Sequence, residues 1–133
     1  MKFLKQEYGL ILLRISVALV FVWFGVSQIY TPYNWIGFIP PFISSLISAQ
    51  TVVMINGSLE IILGLMMIFG IYLRFAALVL GVHVIGIALS LGYTAVTVRD
   101  LGLGFASISV FFIGPDRLCY GYIKREKIAV ESL

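Results

Sequence analysis

Side chains that build redox and metal centres are almost missing from this chain. Its 133 residues include one cysteine, Cys119, and one histidine, His83. A single cysteine excludes an internal disulfide and a CxxC redox pair. One histidine and one cysteine are too few for a metal centre made of those ligands, so no self-contained metal, haem or dithiol site is expected. Charge is scarce as well, at 11% of residues against the ~25% typical of soluble domains. What is abundant is apolar: 61% of residues are hydrophobic and mean hydropathy is +1.08. That excess is too large for a soluble core. The chain reads as an all-α integral membrane protein with room for about four spans of ~20 residues.

The few charges are informative by position. Lys2, Lys5, Arg74, Arg117, Lys124, Arg125 and Lys127 fall before the first span, in the middle turn or after the last span, while Arg99 alone falls on the other side. Basic residues accumulate on the cytoplasmic side, so the expectation is a multi-pass cell-membrane protein with both termini cytoplasmic. No basic run with interleaved aromatics lies outside the apolar stretches, which argues against nucleic-acid binding. The basic start and apolar run lack an A-x-A-like cleavage site and read as a retained first span.

The expected organisation is a single four-span domain over residues 1–133. Spans cover about 9–30, 51–72, 75–93 and 99–114, followed by a basic cytoplasmic tail, 116–133. The fold class is a four-helix bundle with an outer interfacial or re-entrant segment between the first two spans. That segment, residues 31–50, has no charged residue and contains Pro32, Pro40 and Pro41, which break regular helix. Tyr30, Tyr33 and Trp35 suit the membrane interface. The segment is either a simple anchored loop or a lid over a ligand site.

Glu60 is the residue around which a function has to be built. A carboxylate in the middle of a span costs roughly 2.5 kcal/mol or more, so such groups face a protein interior and carry a partner or a task. Asn56 stands one turn before Glu60, and Gly57 and Gly64 flank the same side. At ~1.5 Å per residue, Glu60 lies roughly 16 Å and His83 roughly 14 Å from the turn that joins their helices. A direct Glu60–His83 contact across antiparallel helices is therefore an expectation. In the first span Arg14, Ala18, Phe21, Gly25 and Gln28 share one helical face. Arg14 either pairs in the interior or snorkels to the interface. Arg99 and Asp100 are expected to open the fourth span, with Asp100 favoured at a helix N-terminus. The buried polar or ligand-binding candidates are thus Glu60, His83, Arg14, Arg99, Asp100, Asn56, Gln28 and Trp35.

Several short runs together resemble the DoxX family of small membrane proteins. They are Phe21-Val22-Trp23-Phe24-Gly25, the Pro32–Pro41 stretch around Trp35, Asn56-Gly57-Ser58-Leu59-Glu60-Ile61-Ile62-Leu63-Gly64, Gly70-Ile71-Tyr72-Leu73-Arg74, Arg99-Asp100-Leu101-Gly102-Leu103 and Gly114-Pro115-Asp116-Arg117-Leu118. The resemblance implies a four-helix membrane bundle and an association with membrane redox systems. It maps the family's intramembrane carboxylate onto Glu60 and its charged fourth-helix start onto Arg99 and Asp100. Three readings follow. One is an accessory, non-catalytic subunit of a quinone-linked respiratory complex, with quinone as ligand and other subunits as partners. A second is a binding or transport module for lipid or another small hydrophobic molecule, in which a conduction path would require a homo-oligomer. In the third, Arg14, Glu60, His83, Arg99 and Asp100 merely neutralise one another in a structural core.

Overall fold

The computed structural model describes residues 2–132, and every regular element among them is helical. The helices are α1 (Lys2–Tyr30), α2 (Pro41–Ser44), α3 (Ala49–Phe69), α4 (Leu73–Ser90), α5 (Ala95–Ile113) and α6 (Tyr120–Glu131), with a 3-10 helix at Pro32–Phe38. Four of them, Lys5–Tyr30 within α1 and all of α3, α4 and α5, are long and apolar enough to cross a membrane. Trp23, Phe69, Phe75, Phe105 and Phe112 point outward from these helices. Such a belt is tolerated only where lipid covers it. The protein is a multi-pass, all-α membrane bundle.

Helix ends follow local chemistry and move the expected span limits. Ser48 caps α3 through its hydroxyl, which accepts from Thr51 N, so the helix starts at Ala49. It stops at Gly70, whose φ of +67° is left-handed and whose amide reaches back to the α3 carbonyls. Thr94 caps α5 in the same way, accepting from Thr97 N. Arg99 and Asp100 therefore sit one turn inside α5 rather than opening it. The N-cap Thr-x-x-Thr signal lies just upstream of the charge pair that drew attention in the sequence.

The spans associate as two intimate pairs, α1 with α3 and α4 with α5, and the pairs meet more sparsely. Glycine permits the closest approaches. A Cβ added at Gly25 would lie 2.5 Å from the Gly57 carbonyl oxygen, and one at Gly81 would lie 3.0 Å from that of Gly104. Small residues at such crossings let backbones touch, which is how helices gain packing in lipid. Between the pairs lies a core of Val17, Ala18, Phe21, Leu63, Met67, Ala77, Leu80 and Val110. Ser107 adds a hydrogen bond from Oγ to the Ala77 carbonyl, 2.8 Å, within the α4–α5 pair.

At the end of the bundle bearing α6, Arg14 is 2% exposed and fully engaged. Its Nε donates to Asp116 Oδ2 at 2.6 Å and its Nη2 to Asp116 Oδ1 at 3.1 Å. Its Nη1 donates to the Met67 and Ile68 carbonyls, both at 2.6 Å, at the C-terminus of α3. Ile68 O lies in the last turn, where carbonyls run out of helical donors, Met67 O also accepts from the Gly70 amide, and the helix dipole favours a cation there. Interior pairing thus holds for Arg14, but its partner comes from the segment after α5, not from the Glu60 group. Asp116 also accepts from Leu118 N at 2.9 Å, and Cys119 packs against Gly70. The start of the tail is built into the bundle.

A lidded cavity around Glu60

All other intramembrane polar candidates gather at the opposite end. Gln28 reaches in from α1, Asn56 and Glu60 from α3, His83 from α4, and Arg99 and Asp100 from α5. Asn56 and Glu60 share a face because four residues make about one helical turn. Glu60 is 4% exposed. Its Oε2 accepts from Gln28 Nε2 at 2.8 Å and its Oε1 from Asn56 Nδ2 at 3.1 Å. Asn56 Nδ2 also donates to Gln28 Oε1 at 2.7 Å, closing a three-membered ring of hydrogen bonds.

Both N–H groups of the Asn56 amide are used in this ring, so its Oδ1 is left to accept from His83 Nε2. That fixes a ring tautomer with hydrogen on Nε2 and leaves Nδ1 as an acceptor when the ring is neutral. The expected direct Glu60–His83 contact is replaced by a relay through Asn56. Two side chains on adjacent helices at equal depth still need a third group when their rings and chains do not span the gap. The amide one turn from Glu60 supplies it.

These groups form the polar floor of a cavity of about 150 Å³. Cavities of about this size elsewhere admit a single benzene ring. The remaining wall is apolar, with Phe24, Val52, Val84 and Ile87 among its members. Residues 31–48 cross over it. Trp35, Phe38, Ile39, Pro40 and Ile43 from this segment line the cavity, so it forms a cover and is more than a simple anchored loop. The cover is held by Trp35, whose Nε1 donates to Ser27 Oγ at 3.2 Å and whose ring packs edge-on against Phe24, 5.6 Å between centroids. Phe38 stands 5.7 Å from Trp35 on the other side.

Arg99 marks the rim. Its Nε donates to Asp100 Oδ1 at 2.8 Å, its guanidinium lies 5.1 Å from the Phe24 centroid, and its side chain is 53% exposed. Among the described residues neither Nη group has a protein acceptor within hydrogen-bond distance, and Oδ2 of the nearly buried Asp100 is free. Among the described residues no three His, Cys, Asp or Glu side chains form a metal-ligating group.

The profile of the DoxX family matches residues 9–93, from the first turns of α1 through the end of α4. The chain belongs to the DoxX family. Gln28, Trp35, Asn56, Glu60 and His83 lie inside the matched DoxX region, whereas Arg99, Asp100 and Asp116 follow it. No curated protein and no solved structure shows significant similarity to the chain.

The structure brings together seven of the eight sequence candidates and removes Arg14. It adds Phe24 and Phe38 to the cavity and Asp116 to Arg14. Phe24 was within reach of sequence reading, since it precedes Gln28 by one turn on the same face. Asp116 was too: it follows α5 directly on the side of the bundle where Arg14 lies, and a buried guanidinium needs a carboxylate.

Proposed function

We infer that this DoxX protein is a cell-membrane binding module whose cavity takes a ring-headed hydrophobic molecule, a quinone first, as an accessory subunit of a quinone-linked redox complex. The carrying observation is a ring-sized cavity that is apolar on its walls, polar on its floor and closed by a tryptophan-bearing cover. Pockets of that make-up orient a ligand through a few convergent polar groups. The residues fit a quinone head. Gln28 has a second N–H and Arg99 four Nη hydrogens to offer ring carbonyls, while Glu60 can hold or release a proton at the same face. When bound, a quinone would supply electron and proton carriage, with its electrons delivered by a partner subunit and its head held by Gln28, Glu60 and Arg99. The basic residues near α6 support a cytoplasmic position for both termini, with the cavity toward the outer leaflet.

One observation favours a second reading. The free Nη groups of Arg99 at an open rim suit the phosphate of a lipid, whose tail would follow the apolar groove. The charge-neutralised core accounts for Arg14 and Asp116 but not for Glu60, which has no cation on either oxygen.

Gentle extraction from native membranes, followed by mass spectrometry of proteins, quinones and lipids, tests the assignment. Stoichiometric oxidase or dehydrogenase subunits with a quinone are the expected result. A single lipid species on a lone oligomer would move the assignment to the second reading. Binding of a short-chain quinone analogue is read directly by quenching of Trp35 fluorescence, with Trp35→Phe giving the background from outward-facing Trp23.

A further inference from the structure

The cavity is lined by two carboxylic acid side chains and one permanent cation, with His83 as a neutral or protonated imidazole beside them. Glu60 and Asp100 both line it; Arg99 is paired with Asp100. Facing Glu60 are Gln28 from α1, Asn56 from its own helix, His83 from α4 through that amide, and Asp100 with Arg99 from α5. The cover contributes aromatic and aliphatic side chains only. The other arginines lie at the α6 end, away from the cavity: Arg14 on Asp116, Arg117 on Glu7, Arg74 beside Gly114 and Arg125 on α6 itself. An ionised Glu60 would therefore have two neutral amides as its direct donors and no permanent cation in contact with it, a state disfavoured at this depth.

The cavity wall suits what is missing. Phe24, Trp35 and Phe38 line it, and a cation already rests on Phe24 in the form of Arg99. Aromatic walls beside a carboxylate are the chemistry that recognises organic ammonium ions. We propose that the cavity is also a proton-exchanging site for a small organic ammonium cation, with Glu60 as its counter-ion. With a neutral guest, Glu60 carries the proton. A cationic guest takes its place: the carboxyl O–H bond breaks, the proton leaves past the Arg99–Asp100 rim to water, and no electron moves. The inference rests on the same cavity as the ring-binding reading and adds the charge of the guest.

The test titrates the detergent-solubilised protein with benzylammonium and with benzyl alcohol, its near-isosteric neutral counterpart. Calorimetry is run in two buffers of different protonation enthalpy from mildly acidic to neutral pH. Benzylammonium is expected to bind about tenfold or more tightly than the alcohol. It should release close to one proton at the acidic end, with affinity rising as pH rises. Glu60→Gln should abolish both the preference for the cation over the alcohol and the proton release. Should that variant fail to fold, proton release by the wild type decides alone. Equal affinity for the two probes, or cation binding without proton release at any pH, overturns the proposal. If benzyl alcohol and a quinone analogue bind but the cation gains nothing, the cation site falls and the ring cavity stands. If no ring compound binds, both fall.

Discussion

Removing the Arg14 guanidinium would leave Asp116 buried with its charge uncompensated and take the side-chain donor from the Met67 and Ile68 carbonyls. Arg14→Ala should therefore cost about 3–5 kcal/mol of stability, read by unfolding in detergent. Arg14→Lys should recover only part of it, because an ammonium cannot reproduce the two-pronged contact with Asp116. Cys119 gives a separate, pH-dependent test. Burial pushes its thiol above the ordinary value near 9.0. An unfolded chain thus releases that proton first as pH climbs. The resulting stability is fully present below the ordinary thiol range and is lost as pH rises through the folded value. Cys119→Ala should flatten this alkaline decline, measured as the unfolding midpoint against pH. Glu60 and Asn56 were legible as a polar pair from their spacing alone. The Asn56 relay to His83 was not, because sequence fixes depth along a helix but not the rotation of one helix against its neighbour.

At the scale of elements, the glycine crossings carry the clearest expectations. Gly25→Val would force side-chain atoms into the Gly57 backbone and part α1 from α3, an overpacking that typically costs about 1–3 kcal/mol. Gly102 on α5 is the control, since an added Cβ there meets nothing within 4 Å. Gly102→Ala should be neutral or stabilising by up to about 1 kcal/mol, through helix propensity. Thermal unfolding of the two variants in one detergent makes the comparison. The four spans were readable because lipid demands long apolar helices. Their limits were less so. The strongest polar signal near α5 was Arg99-Asp100, but the helix is started by the weaker Thr94, whose hydroxyl satisfies an orphan amide. The proline-rich cover was readable as non-spanning, while its hold on the cavity depends on the Trp35 contact with Ser27, eight residues away.

For the molecule as a whole, orientation is open to a direct measurement. In a Cys119→Ala background, Ser45→Cys on the cover should react with an impermeant maleimide in intact cells, whereas Ser132→Cys should react only after permeabilisation. The opposite labelling pattern would invert the cavity to the inner leaflet. The bundle is also asymmetric from end to end. One end is locked by Arg14, Asp116 and the Cys119–Gly70 contact, and the other holds the cavity where the two helix pairs meet under the cover. This asymmetry has a consequence for biosynthesis. The α1–α3 pair is complete in the first 69 residues, and α4–α5 forms from the next stretch, so each can assemble soon after leaving the ribosome. Arg14, made near the beginning, has to wait for Asp116, 102 positions later. Until then only two carbonyls shield it from lipid. A chain that has not yet supplied Asp116 leaves the Arg14 guanidinium with carbonyl partners alone, so neutralising that buried charge and docking the segment after α5 are one and the same step.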